Sequence, residues 1–328
     1  MNQVVIDQDK LAKEKKKTFV AKKQRKFNKR LLKENMELYI IILPVLIHIF
    51  IFSYIPLYGI VIAFQNYYPG SPFIAFDGSV KWVGLKHIRD FVQSPMFPRI
   101  FGNTIRLSLM NLLFGFSCPI VFALLVNELR DGKFKKFVQT VSYMPHFISS
   151  VVVAGMVLSF INVDGLLNQV LSFFGVPQKA YNADPYAFPW VYTVTNIWKS
   201  FGWSSILYLS SIAAIDPGLY ESAKIDGANR FDRMLYITLP SMSNLIIIQL
   251  IFSIGSIVSA NTEMILLLYN PATYKTADVI GTYVYRDGLM GGRFSYGTAV
   301  NIFVSCINVI LLVIANKIST KIADFGLW

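Results

Sequence analysis

Apolar runs of roughly 20 residues alternate along the chain with polar segments rich in Gly, Pro and Asn. Six such runs cover residues 38–64, 103–127, 141–163, 187–212, 245–268 and 298–314. As helices, each reaches about 30 Å, the thickness of a bilayer's hydrocarbon core. Lipid offers no partner to a free backbone amide, so runs of this kind must close their hydrogen bonds internally. They are too long for barrel strands and lack the strict alternation such strands need. The pattern predicts an all-α, polytopic membrane protein of six transmembrane helices. A polar tail over residues 1–35 precedes a transmembrane domain over residues 36–328.

Composition agrees. The chain is 54% hydrophobic and 15% charged, whereas a soluble domain carries about a quarter charged residues. The net charge of +12 is unevenly placed. With six spans both ends lie on one side, and that side collects 21 of the 31 Lys and Arg residues, against 8 opposite and two, Arg106 and Lys199, inside spans. The positive-inside rule then predicts a plasma-membrane protein with both termini cytoplasmic. The first 35 residues do not read as a secretory signal: the charged stretch is too long and no small-residue cleavage site follows. They fit a basic anchor against anionic membrane lipid. Nucleic-acid binding, the alternative for so basic a tail, lacks a folded module to accompany it and is not expected.

Catalytic and metal chemistry are not expected. His48, His87 and His146 share no ligand spacing, and no HExxH, GxSxG or paired-cysteine motif occurs. Cys118 and Cys306 lie inside apolar runs and read as packing residues. Asp131-Gly132-Lys133-Phe134 lacks the upstream Gly and the hydroxyl of a phosphate-binding loop. Polar residues at membrane depth are the candidates for a solute path. Lys199 sits mid-span near Asn196 and Trp198, and Asn261 and Glu263 lie toward one end of the fifth run. Aromatic faces and amides suit sugars, which present apolar C–H faces and hydroxyl edges. Lys199 has two readings: substrate contact, or a structural role by pairing with a carboxylate of another subunit or by snorkelling. No inverted repeat is visible, which disfavours a self-contained secondary transporter or channel, the alternative function.

The most informative segment is 216–241, DPGLYESAKIDGANRFDRMLYITLPS, on the basic side. Asp216 suits an N-cap and Pro217 a first helical position. Leu219, Tyr220, Ala223 and Ile225 are expected to form one apolar side. Gly227 can end the helix in the left-handed conformation. Asn229 and Asp232 can cap a second helix, expected to stop before Pro240.

Glu221-Ser222-Ala223, then Asp226-Gly227-Ala228, then Ile237-Thr238-Leu239-Pro240 resemble the EAA loop of binding-protein-dependent ABC importer permeases. The segment's place between the fourth and fifth spans fits that family. Ser222 departs from its usual Ala, small for small. IWKSFGWSSILYLSSI and NTEMILLLYNPATYKTADVIGTYVYR are similar to sugar permeases of Gram-positive bacteria, particularly those for acidic, polysaccharide-derived oligosaccharides. The resemblance implies a type I importer fold and a second, different permease as heterodimer partner. It also implies two cytoplasmic ATPase subunits, which bind ATP and Mg, and an extracellular solute-binding lipoprotein. This chain would carry no cofactor. Glu221, Ser222, Ala223, Asp226, Gly227 and Ala228 would couple it to the ATPase.

Overall fold

A computed structural model describes residues 36–74, 80–323 and 325–328. The basic tail lies outside the described residues. Among those described there is no strand, only an isolated antiparallel bridge between Gln65 and Trp82. The chain divides at Gly59 into two units. An apolar helix, Leu38–Phe64 (α1), spans that division, and its residues from Leu38 to Tyr58 are exposed, as on a lipid-facing helix.

After α1 the second unit continues with a short helix, Lys86–Val92 (α2), and a long one, Phe97–Asn127 (α3). An amphipathic helix, Lys133–Tyr143 (α4), leads to Ser150–Ile161 (α5), capped by the Ser149 hydroxyl, and Leu166–Phe173 (α6). Next comes a polar-flecked helix of 26 residues, Phe188–Ala213 (α7). The 216–241 segment follows as Pro217–Ile225 (α8) and Arg230–Ser241 (α9). Ser243–Gly255 (α10) meets α9 at a bend of 61°. After Thr262–Leu268 (α11) and short turns, Phe294–Ala323 (α12) ends the fold.

Four helical stretches are long and apolar enough to cross a membrane, α1, α3, α5 with α6, and α12, or five if the bent α9–α10 pair is one span. Length and apolarity alone therefore do not reach six. The 26 residues of α7 suffice in length, but its Ser, Thr, Tyr and Trp content leaves it outside the strongly apolar set. Its hydroxyls are tolerated because they bond carbonyls of their own helix, Thr193 to Pro189, Thr195 to Val191 and Ser200 to Asn196.

Four expected boundaries move; the last run, expected over 298–314, extends at both ends to Phe294–Ala323. The second run begins six residues earlier, at Phe97, where Pro98 suits a first turn. The third does not begin at residue 141. Val141 closes amphipathic α4, and Pro145 interrupts the chain before α5 starts at Ser150. The fifth is not one helix: it breaks between Gly255 and Thr262, and Asn308 of α12 satisfies the freed groups by accepting from Val258 N at 3.2 Å and donating to Ser259 Oγ at 2.9 Å.

Two buried clusters lie toward one end of the unit. One joins Leu107, Val153, Tyr192, Met264 and Val279; the other joins Phe91, Ile100, Val258, Tyr283 and Tyr296. A smaller one of Ala123, Tyr208, Ile212 and Met242 closes the other end, where α3 and α7 run toward the 216–241 segment.

Candidate functional site

Local sequence builds the 216–241 segment much as its residues require. Asp216 Oδ1 accepts from Gly218 N at 2.9 Å and Pro217 opens α8. At the far end Ala228 N donates to Ala223 O and Gly227 N to Lys224 O, with Gly227 at φ +83°. That pair of bonds is the Schellman termination, and its left-handed residue is one glycine adopts without strain. A reciprocal box follows: Asn229 Oδ1 accepts from Phe231 N and Asp232 N, and Asp232 Oδ2 accepts from Asn229 N. The second helix does not stop before Pro240. It runs through the proline to Ser241 because a π turn, Met234–Thr238, precedes it. The wider turn moves the carbonyls with which the ring would clash.

The expected apolar side of α8 also divides. Tyr220 and Ala223 turn inward, and the Tyr220 hydroxyl lies 2.9 Å from Thr238 Oγ1, buried in α9. Ile225 lies about 140° round the helix from Tyr220 and is 87% exposed. Leu219, Glu221, Ser222, Asp226 and Gly227 are exposed too, and Ala228 is half-buried. The outward face is thus an apolar tip, Ile225, beside a carboxylate and a small hydroxyl. A single hydrogen bond fixes the inward face to the helix that bends into α10.

A cavity of about 480 Å³ opens among α3, α7, α10 and the break before α11. Hydroxyls and amides dominate its wall, including Ser108, Asn111, Ser204, Gln249, Ser256 and Asn261, with Trp203 and Tyr208 as aromatic faces. None of its lining residues is charged. Ser108 Oγ, buried in that wall, has no hydrogen-bond partner among the described residues. The unwound backbone coincides with the cavity, where irregular structure at membrane depth is tolerable.

The sequence candidates separate here. Asn261 lines the cavity, caps α11 by accepting from Met264 N, and donates from Nδ2 to Asn196 Oδ1 at 3.1 Å. Asn196 therefore stands behind the wall. The Tyr192 hydroxyl, which lines the wall, accepts from Asn261 N. Lys199 does not line the cavity; its Nζ donates to Ser150 Oγ at 2.7 Å. Trp198 lies roughly 160° round α7 from Ser200, in an apolar groove against α5 and α6. Glu263 is exposed on the first turn of α11, where the helix's positive end favours a carboxylate. Among the described residues no three His, Cys, Asp or Glu stand close enough to share a metal ion.

Residues 115–324 match the family described as binding-protein-dependent transport system inner membrane component. The chain belongs to this family. Among relatives of this transport component is the polygalacturonan/rhamnogalacturonan transport system permease protein YteP of Bacillus subtilis (strain 168), 42% identical over 89% of this chain and 90% of that protein. Protein LplB of the same strain is 39% identical over 90% of this chain and 92% of its own length. A chain of a bacterial alginate ABC transporter, crystallised with its alginate pentasaccharide-bound periplasmic protein, superposes with a TM-score of 0.80 at 40% identity, covering 91% of this chain and 99% of that one. The permease is thus an all-helical, multi-pass subunit of an ABC transporter and not itself an enzyme.

Sequence reasoning on the permease missed two features. The serine-rich wall was hidden because each Ser looks bland alone: Ser253 lies in the last turn of α10 while Ser256 and Ser259 lie in the unwound stretch, so no helical periodicity marks them as sharing a wall. A buried ionic knot was missed as well. Asp278, fully buried, accepts from Arg286 Nη1 and Nη2 at 3.1 and 2.9 Å, from Arg99 at 3.4 Å and from Thr282 Oγ1 at 2.9 Å. The Asp278 hydrogen bonds raise the pKa of Arg286 above its ordinary value, so the guanidinium stays charged. Its partners come from the start of α3 and from 282–286, a separation no local pattern encodes.

Proposed function

We propose that this permease is the membrane-spanning subunit of an ATP-driven importer of an acidic oligosaccharide released from a polysaccharide. It pairs with a second permease, is driven by two cytoplasmic ATPase subunits and receives sugar from an extracellular solute-binding lipoprotein. Both termini lie in the cytoplasm. The substrate class is supported by the relatives named for polygalacturonan, rhamnogalacturonan and alginate, all uronate-containing polymers.

The observation that carries the coupling role is the two-sidedness of α8. Glu221, Ser222 and Ile225 face outward, while Tyr220 ties the helix to Thr238. In this reading α8 docks into a cleft of the ATPase. Ala223 packs, Glu221 makes a polar contact, and Asp226, Gly227 and Ala228 form the rigid turn that passes movement to α9. Closure of the ATPase pair displaces α8 as a rigid body and re-packs the spans between inward- and outward-facing arrangements. Sugar passes along the serine- and amide-lined cavity, where Asn261, steadied by Asn196, is the first residue we assign to contact it. Lys199, Trp198 and Glu263 stand outside that wall and would reach sugar only in another conformation of the cycle.

Purification of the tagged chain from its native membrane tests the proposal. A stable complex with a second permease and an ATPase, and uptake of oligogalacturonide by proteoliposomes only with ATP and the binding protein, are expected. A lone chain that transports under a proton gradient would overturn the assignment.

A further inference from the structure

Helix α4 carries a surface that the coupling and translocation roles leave unused. Its inward side is fixed to α7. Gly202 lies so close to Ser142 that an added Cβ would collide with the Ser142 carbonyl. The outward side bears Phe134, Phe137 and Val141, at helical spacings of three and four, all exposed, and the stripe continues to Met144 and Phe147 just beyond the helix end. Beside it stand Lys133 and Lys136, exposed and without a carboxylate partner among the described residues, while Lys135 is occupied by Asp131 at 2.8 Å.

Two further facts restrict what covers this stripe. Five residues separate α4 from the end of the membrane-crossing α3, and six separate it from the start of α5, so neither end can leave the membrane boundary. The Ala123–Tyr208–Ile212 cluster also places the end of α3 beside the end of α7, so α4 lies at the same end as the coupling segment. An exposed apolar stripe, edged by unpaired lysines and tethered at both ends to spans, has the chemistry of an interfacial helix.

We propose that α4 lies in the membrane–water interface, with Phe134, Phe137 and Val141 in the acyl boundary and Lys133 and Lys136 on the phosphates of anionic lipid. Because its other face holds α7, this contact sets the height of α7, and with it the neighbouring coupling segment, relative to the bilayer.

The test uses the assembled transporter in nanodiscs. A bimane fluorophore is attached at Phe137→Cys in a Cys118→Ala, Cys306→Ala background, and separately at Val141→Cys. Quenching by head-proximal nitroxide-labelled phosphatidylglycerol is compared with nitroxide-labelled phosphatidylcholine at equal mole fraction, and with aqueous iodide. Strong quenching by lipid, weak quenching by iodide and a preference for phosphatidylglycerol are expected. Lys133→Gln with Lys136→Gln should reduce that preference at least about fivefold. Efficient quenching by iodide would show a solvated face. Protection from every quencher would show that another protein chain covers it. Equal quenching by the two lipids would remove the anionic site. Each of these three results overturns the proposal.

Discussion

At Gly227 the backbone enters the left-handed region, φ +83°, with open space where a Cβ would go. Conformation, not crowding, therefore restricts this position, and a β-branched residue pays roughly 1–2 kcal/mol to adopt it. Gly227→Val is expected to loosen the turn between α8 and α9, so that ATP hydrolysis continues while uptake falls at least about tenfold. Parallel hydrolysis and uptake assays in proteoliposomes check this, and normal uptake would count against the coupling role. Asp278 is the opposite case. It is fully buried and its carboxylate holds two guanidinium groups. Asp278→Ala leaves the partly exposed Arg286 and Arg99 without their shared counter-charge and is expected to cost about 1–3 kcal/mol through the hydrogen bonds lost to a charged group. Thermal unfolding of the purified complex would register the loss. Gly227 was legible because a left-handed cap is local chemistry. Asp278 was not, because its arginines are 8 and 179 residues away.

Three helical prolines in this chain follow a widened turn, while Pro44 sits in regular α-helix. π turns at Phe50–Tyr54, Asn111–Gly115 and Met234–Thr238 precede Pro56, Pro119 and Pro240. Each offers slack where the missing N–H and the bulky ring would otherwise break the helix. At these three positions the proline marks a change of pitch rather than an end, and reading Pro240 as a stop underestimates α9. The long apolar runs were legible because lipid enforces helix on them. The break at residues 256–261 was not, because its residues are apolar enough to pass and the reason for unwinding, Asn308 and the cavity, lies on other helices. Between α8 and α9, Tyr220→Phe removes the hydroxyl contact with Thr238 and should destabilise the pair by about 1 kcal/mol. Faster hydrogen exchange over 217–238, with exchange in α12 unchanged, is the expected signature.

For the molecule as a whole, two helical routes join the cavity to the coupling segment: α7 lines one and ends just before the other, and α9 meets α10 at a 61° bend, α10 supplying Gln249 and Ser253 to the cavity wall. In the proposed coupling, motion at α8 reaches the wall by these two routes. Asn261→Leu, which removes the amide from the rim and its bond to Asn196, is expected to lower uptake several-fold without preventing assembly, as measured by transport at saturating binding protein. The wall also governs how the cargo is held. In the proposed importer, the uncharged wall of this subunit would offer an acid sugar no ion pair to break on leaving. On that proposal residence against the wall would be brief, selectivity would rest on the pattern of hydroxyls, and tight capture would fall to a step before the sugar enters.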